Sequence, residues 1–228
     1  MTADKFIYCV RHGESQFNEW RTRSLWTFSW VHTRDPMILD PRLSARGHKQ
    51  VTDLYNHVRD KALHDKIEVI VVSPLSRAIQ TAEGGFRGTD IPMIVEPLCR
   101  EMLDTSSDIG RDAAALASDF QSLNLDFSEL EPHWWVPGRL KRKTGLSMTP
   151  STVNEVLRLR ESKEDLEERM RSFVLKLKEM PQTHIAVVGH SHFFKRMLGM
   201  SRKLANCEVA VVPLDDLVKR WKTETPHP

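Results

Sequence analysis

The sequence predicts a three-layer α/β/α sandwich built around a mainly parallel central sheet. Short apolar runs that are typical of buried strands recur along the chain, and amphipathic helical patterns separate them. Because parallel strands need long crossover connections, this alternation favours helices on both faces of one sheet. The apolar runs span residues 6–10, 67–72, 91–95, 184–188 and 208–212.

Two segments have the clearest helical pattern. After Gly47, apolar residues recur at three- and four-residue spacing, which predicts a helix that covers one face of the sheet. A second stripe runs through 163–180, where Ser162 and Asp165 predict a capping box at the helix start. The two stripes consist of Val51, Leu54, Tyr55 and Val58, and of Leu166, Met170, Phe173, Val174 and Leu177.

Composition excludes several classes of protein. The chain has 228 residues, 40% of them hydrophobic and 28% charged, which is typical of an ordinary globular domain. With 33 Lys+Arg against 31 Asp+Glu, no global charge favours nucleic acid or a membrane surface. No apolar segment approaches the ~20 residues of a membrane span, and no signal peptide precedes the first run. We therefore expect a cytoplasmic protein without nucleic-acid or membrane partners, whose three cysteines are reduced thiols.

The tripeptide Arg11-His12-Gly13 follows the first apolar run directly. An arginine offers a planar fork of donors to two phosphoryl oxygens, and a neutral histidine can attack phosphorus. Gly13 is expected to let the backbone approach a ligand closely. Since ligands bind at the carboxyl edge of parallel sheets, the tripeptide indicates a phosphate site.

Three other runs also end in residues that suit this chemistry. The run 67–72 leads to Ser76, a predicted N-cap, and to Arg77, a second phosphate ligand. Glu101 follows the run 91–95 and is a candidate proton donor. His190 follows the run 184–188 and is expected to lie beside His12.

In order along the chain, these segments resemble the signature stretches of the histidine phosphatase superfamily, also called the phosphoglycerate mutase-like family. The resemblance extends from residue 6 to about residue 212, and it implies one domain over 1–228 with specificity insertions at about 19–39 and 102–150. The matching stretches are Arg11–Ser15 with Asn18, the helix entry Asp40–Gln50, Ser73–Ala78 with Thr81, Leu98–Glu101 and Val187–His190.

The resemblance implies a role for each site residue. His12 resembles the nucleophile that forms a phosphohistidine, and Arg11, Arg77 and His190 resemble the cage around the phosphoryl oxygens. Glu101 resembles the general acid, for which we expect a pKa raised by burial or by the bound phosphate. No metal and no cofactor is expected. Asn18 and Ser15 resemble further phosphate or substrate contacts, with turn capping as the alternative for both. Ser191 departs from the small residues, usually including glycine, that follow the second histidine in many family members, but its amide is still expected to donate to phosphate at a helix N-terminus.

The implied function is that of a phosphomonoester hydrolase acting on a small phosphorylated metabolite. A phosphoglycerate mutase-type phosphoryl transferase is the alternative, but family mutases carry a tyrosine and a lysine soon after the catalytic glutamate, and residues 102–112 contain neither. A non-catalytic scaffold that binds phosphorylated ligands is a further alternative. The sequence predicts no particular oligomeric state.

Aromatic and basic side chains are concentrated in two segments. The first, 19–34, contains three tryptophans and is interpreted either as a wall that stacks on the substrate, with Arg21, Arg23 or Arg34 on a second anion, or as a loop with its own small core. The second, 133–143, is interpreted as a lid or as a solvated loop. His192 is expected either to cap the helix after His190 or to enter the substrate pocket.

Overall fold

Five strands form one sheet in the computed structural model, which describes residues 4–221. The order is β3-β2-β4-β1-β5, and only β5 runs antiparallel to its neighbour. This arrangement confirms the predicted fold class. The strands are β1 (Phe6–Arg11), β2 (Val69–Val72), β3 (Met93–Val95), β4 (His184–Gly189) and β5 (Val209–Pro213).

The helices alternate with the strands and lie on both faces of the sheet. Successive side chains of β1 point to opposite faces: Tyr8 and Val10 pack with α2 and α3, whereas Ile7 and Cys9 pack with α7, α8 and α9. The helices are α1 (Gln16–Thr27), α2 (Ala45–Asp60), α3 (Ser76–Gly85), α4 (Ala113–Asp119), α5 (Gly138–Lys141), α6 (Val153–Arg158), α7 (Lys163–Glu179), α8 (Ser191–Leu198) and α9 (Leu214–Trp221). Short 3₁₀ turns cover Ser29–Val31, Leu63–Asp65, Pro97–Cys99, Ser106–Asp108 and Gln121–Leu123.

Register brings the carboxyl ends of the central strands together. Arg11 at the end of β1 pairs with Gly189 at the end of β4, and Val188 of β4 pairs with Val72 at the end of β2. The residues that follow these strands therefore emerge at one edge of the sheet. Within the described residues, no helix is long and apolar enough to cross a membrane.

The capping box predicted for α7 is confirmed, whereas the cap predicted for α3 is wrong. Ser162 accepts a hydrogen bond from the Asp165 amide in a reciprocal box, but Ser76 is already the first residue of α3. The Ser76 amide and hydroxyl instead donate to the carboxylate of Asp40, at 2.8 and 2.6 Å. A carboxylate from a distant loop therefore caps this helix, which local sequence does not reveal.

Segment 133–143 is not a lid, because none of its residues lines the cavity described below. The solvated interpretation holds for basic residues such as Arg139 and Arg142 but is wrong for the apolar part. Trp134, Trp135 and Leu140 are buried in the core beside α2 and α3. The Trp134 indole N–H donates to the Arg111 carbonyl, and that of Trp135 donates to the Met148 carbonyl. Because both indole N–H groups have protein partners, burying the two rings leaves no hydrogen-bond donor unsatisfied.

Segment 19–34 forms most of α1 and the turn that follows it. Trp26 is 82% exposed and Trp30 is 48% exposed, so neither covers a small core, and neither lines the cavity described below. Trp20 packs against Phe17, with ring centroids 5.7 Å apart. Of the three arginines considered as anion ligands, Arg21 lines that cavity.

Candidate active site

A small cavity of about 100 Å³ opens at the carboxyl edge of the sheet. Seven of the eight predicted site residues lie on its wall, and the eighth, His190, is fully buried behind it. The ring of His190 lies 5.1 Å from that of His12, centroid to centroid. The seven on the wall are Arg11, His12, Ser15, Asn18, Arg77, Glu101 and Ser191.

His12 lines the cavity, and one of its ring nitrogens is hydrogen-bonded to the backbone. Its Nδ1 lies 2.6 Å from the Gly13 carbonyl, and since a carbonyl only accepts, Nδ1 carries the proton and Nε2 keeps its lone pair. The Asn206 side chain donates to the His12 carbonyl at 2.8 Å and fixes the backbone. Burial, together with the charges of Arg77 and Arg11, holds the pKa of His12 well below its usual value. The ring is therefore neutral at pH 7.

Close packing against α2 requires a glycine at position 13, a reason other than the predicted approach to a ligand. Its φ is not positive, and a Cβ there would lie 2.9 Å from the Gly47 carbonyl of α2. A Cβ on Gly47 would lie 2.1 Å from the Glu14 carbonyl. The two glycines let the start of α2 pack against the nucleophile loop, where Gln50 also accepts a hydrogen bond from the Glu14 amide. The motif 40–50 thus supports His12 rather than contacting a ligand.

Two arginines bring positive charge to the cavity. Arg77 donates to the Ser107 carbonyl at 2.6 Å and to the Asp108 carboxylate at 3.0 Å. Arg11 donates to the Leu204 carbonyl, and its Nε is covered without a hydrogen-bond partner among the described residues. Guanidinium groups fixed in this way are preorganised to bind phosphoryl oxygens.

The Glu101 carboxylate occupies the N-terminus of α8. It accepts hydrogen bonds from the amides of His192 and Phe193, at 3.1 and 3.0 Å, and from the Ser191 hydroxyl. Burial is the largest single influence and raises the pKa of Glu101. The hydrogen bonds from His192 and the charges of His190 and His192 together outweigh it and hold that pKa well below its usual value. The expected rise is therefore wrong for the unliganded site, because the helix end stabilises the anion.

Ser15, Asn18 and His192 each combine a structural contact with a place at the cavity. The Ser15 hydroxyl accepts from the Asn18 amide, and the Asn18 side chain accepts from the Ser15 amide, so the two form the capping box of α1. His192 lines the cavity with its half-exposed side chain, and its Nδ1 lies 3.6 Å from Glu101. Capping and wall positions are thus not alternatives at Ser15 and Asn18. His192 lies within α8 and does not cap it, so of its two expected roles only the place at the pocket is confirmed.

Sequence reasoning missed several residues on the wall, of which Asp104, Asp108 and Lys203 carry charge. Asp108 pairs with Arg77, and burial raises the pKa of Asp108 against the opposing effect of that arginine. Lys203 belongs to the loop between α8 and β5 and has no carboxylate partner among the described residues. The missed neutral residues include Thr105 and Ser107.

A buried ion cluster holds the Glu101 segment in place. Glu161 accepts from Arg100 at 3.1 Å and from Arg169 at 2.9 and 2.6 Å, and all three side chains are buried. Arg169 also donates to the carbonyls of Leu98 and Arg100. Burial and then the charge of Arg169 lower the pKa of Arg100 to about 9, against the opposing charge of Glu161. The cluster anchors the chain directly before the proton-donor candidate.

Replacing Glu161 with alanine is expected to lower the free energy of unfolding by about 3–5 kcal/mol, because it leaves two buried guanidinium groups unpaired. Urea unfolding at pH 7 measures the loss. Glu168→Ala, on the exposed side of α7, is the control and should change the free energy of unfolding by less than about 0.5 kcal/mol. Equal stability of Glu161→Ala and the control would contradict the anchoring role.

Comparisons with known proteins match most of the chain. The family model described as histidine phosphatase superfamily (branch 1) matches residues 7–213. A phosphoglycerate mutase-like protein of Arabidopsis thaliana is 26% identical, with 93% of this chain and 85% of that protein aligned. A second Arabidopsis thaliana relative, phosphoglycerate mutase-like protein 1, is 29% identical over 83% of this chain and 69% of its own length.

Solved structures share the fold at low sequence identity. The mycobacterial glucosyl-3-phosphoglycerate phosphatase superposes with a TM-score of 0.51 at 20% identity, with 92% of this chain and 90% of that chain covered. At this identity the likeness supports the fold and does not extend to the substrate.

Proposed function

Since the chain belongs to the histidine phosphatase superfamily, we propose that it hydrolyses phosphate monoesters of small metabolites through a phosphohistidine at His12. One observation carries the proposal: a neutral imidazole with an available Nε2 shares one cavity with Arg11 and Arg77. A nucleophile needs its lone pair, and the transferred phosphoryl group needs positive charge on its oxygens.

The proposed reaction has two steps. In the first, Nε2 of His12 attacks phosphorus, the P–O ester bond breaks, and the leaving alkoxide receives a proton from Glu101. In the second, water attacks the phosphohistidine, Glu101 accepts a proton from that water, and inorganic phosphate leaves. Arg11 and Arg77 neutralise the equatorial oxygens in both steps, so we propose that no metal ion takes part.

Glu101 is ionised in the free protein, so its proton must arrive with the substrate. Phosphate monoesters have a second pKa of about 6 and exist partly as protonated monoanions at neutral pH. Transfer of that proton to Glu101 leaves a dianion between the two arginines and a carboxylic acid beside the leaving oxygen. The bound dianion disfavours a second negative charge at Glu101 and thus keeps the proton there.

Hydrolysis is favoured over mutase activity by the region after Glu101. Arg111, the basic side chain of that stretch, donates to Asp40 at 2.9 Å and pairs with Asp119 at 2.7 Å. Arg111 therefore holds the carboxylate that caps α3 and is not free to bind a substrate carboxylate. We further propose that the segments 19–39 and 102–150 set substrate choice, because they supply Arg21 and Asp104–Asp108 to the cavity wall.

A panel of phosphate esters tests the proposal. Purified protein is expected to release inorganic phosphate from at least one class of small ester, and ranking by kcat/KM identifies that class. Transfer of labelled phosphate to a second hydroxyl, without release to water, would instead indicate a mutase. Binding of esters without either reaction would indicate a scaffold.

A further inference from the structure

A groove of about 690 Å³ lies between α7, α8 and α9, next to the phosphate cavity. Leu166, Met200 and Trp221 provide apolar surface in it, and basic side chains such as Lys163 and Lys195 line it as well. Its volume is typical of sites for small molecules, which combine apolar walls with a few placed polar groups. The groove is therefore large enough for the body of a ligand.

The positive charge of this groove is only partly neutralised. Glu167 forms ion pairs with Arg171 and Arg196, whereas Lys163 and Lys195 have no carboxylate within ion-pair distance among residues 4–221. The whole chain is nearly neutral, so such a cluster of unpaired cations is a local feature. Unpaired cations in a cleft concentrate anionic ligands.

The groove and the phosphate cavity are neighbours that share one wall residue, His192. Lys195 lies one helical turn further along α8, about 5 Å from it. Lys203 lines the cavity. Burial lowers its pKa against the opposing charge of Glu101, and the charges of Arg21, Arg11 and Lys195 lower it further. Lys203 is thus close to both the cage and the groove. A ligand whose phosphate lies against His12 can extend past His192 and place its far end near Lys195.

We propose that this groove is a second anion subsite of the same active site, and that the substrate is a small phosphate monoester with a second anionic group across an apolar spacer. The second group is a phosphate or a carboxylate, located beyond His192, one helical turn along α8. Lys195 and Lys163 bind it, and the apolar surface contacts the spacer. This inference rests on the proposed function and names its substrate class.

Two matched series of esters test the subsite. One series contains α,ω-alkanediol bisphosphates of increasing chain length, and the other contains alkyl monophosphates of the same lengths. The ratio of their kcat/KM values is expected to reach about tenfold or more at one intermediate length, since each charge-assisted contact contributes that much discrimination. General electrostatic attraction alone would raise the ratio at every length.

The ratio is then measured in two lysine variants. Lys195→Gln is expected to remove most of the advantage of the best bisphosphate. Lys219→Gln, on α9 outside the groove, loses the same charge and is expected to keep the advantage. A wild-type ratio near one at every length, or an unchanged ratio in Lys195→Gln, would overturn the subsite.

Failure of the proposed function is distinguishable from failure of the subsite. If the wild type hydrolyses neither series and no ester of the wider panel, the hydrolase proposal fails, and calorimetric titration of the bisphosphates into the protein decides the subsite. Tighter binding of the bisphosphate than of the monophosphate, lost in Lys195→Gln, then supports the groove. Equal binding of the two ligands overturns it.

Discussion

Replacing His12 with alanine is expected to lower kcat/KM for every accepted phosphate ester by at least about 10⁴-fold, because it removes the nucleophile of a covalent mechanism. His190, the nearest imidazole, is fully buried, and its Nε2 lies 2.8 Å from the Ser73 hydroxyl. It is therefore not placed to attack phosphorus in place of His12. Release of inorganic phosphate measures the loss.

The same variant tests the covalent intermediate directly. After brief mixing with labelled ester, the wild-type protein is expected to carry label that survives alkali and is lost in acid, as is typical of a phosphorus–nitrogen bond. His12→Ala should carry none. His57→Ala, an exposed histidine of α2, should label like the wild type. Acid-labile label that persists in His12→Ala would place the nucleophile elsewhere.

The sequence predicts the catalytic edge well because parallel strands set its geometry. Arg11 and His12 leave β1, Arg77 follows β2, and His190 follows β4. Once apolar runs identify these strands, their carboxyl ends must lie at one edge, whatever the loops do. The cavity at that edge is accordingly lined by seven of the eight predicted residues.

Contacts that depend on tertiary structure escape such reasoning. Lys203 reaches the cavity from a loop nearly 200 residues after His12, and no local pattern distinguishes it from a surface lysine. Glu161 lies eight residues before Arg169, yet both are buried only because Arg100 joins them from another segment. Long-range pairing of charges inside a protein leaves little signal in one sequence.

Segment 133–143 shows how charge can mislead. Its basic residues favour a solvated interpretation, and Arg139 and Lys141 do lie towards solvent, paired with Asp165 and Glu131. The left-handed backbone of His133, with φ of 55°, precedes the Trp134–Trp135 pair. The two rings meet edge to face at 5.6 Å and are both buried. One short segment thus contributes to the core and to the surface at once.

Glu101→Gln is expected to have the second largest effect, lowering kcat for alkyl phosphates by about 10²–10⁴-fold, as removal of a general acid does. With nitrophenyl phosphate the leaving group departs without needing a proton. The first step should then survive in Glu101→Gln, while the second step slows because no base activates water. The variant is therefore expected to show a burst of nitrophenol and to accumulate phosphohistidine, which His12→Ala cannot do.

The pH dependence separates Glu101 from its rival, Asp108. In the free protein the pKa values of Glu101 and His12 are both held low. At neutral pH Glu101 is therefore an anion and His12 a neutral imidazole, so the monoanionic ester supplies the mobile proton. As pH rises above the second pKa of the ester, about 6, kcat/KM for alkyl phosphates should fall about tenfold per pH unit.

Asp108→Asn is the matched control, because Asp108 is the other buried carboxyl group on the cavity wall, and burial raises its pKa. If Glu101 relays the proton, the Asp108→Asn variant still loses activity at alkaline pH and still needs a proton at the leaving oxygen. Its rate then changes only because the Asp108 carboxylate no longer positions the Arg77 guanidinium. If Asp108→Asn instead removes the alkaline decline and gives the nitrophenol burst, Asp108 is the acid. The helix end occupied by Glu101 would then have a structural role alone.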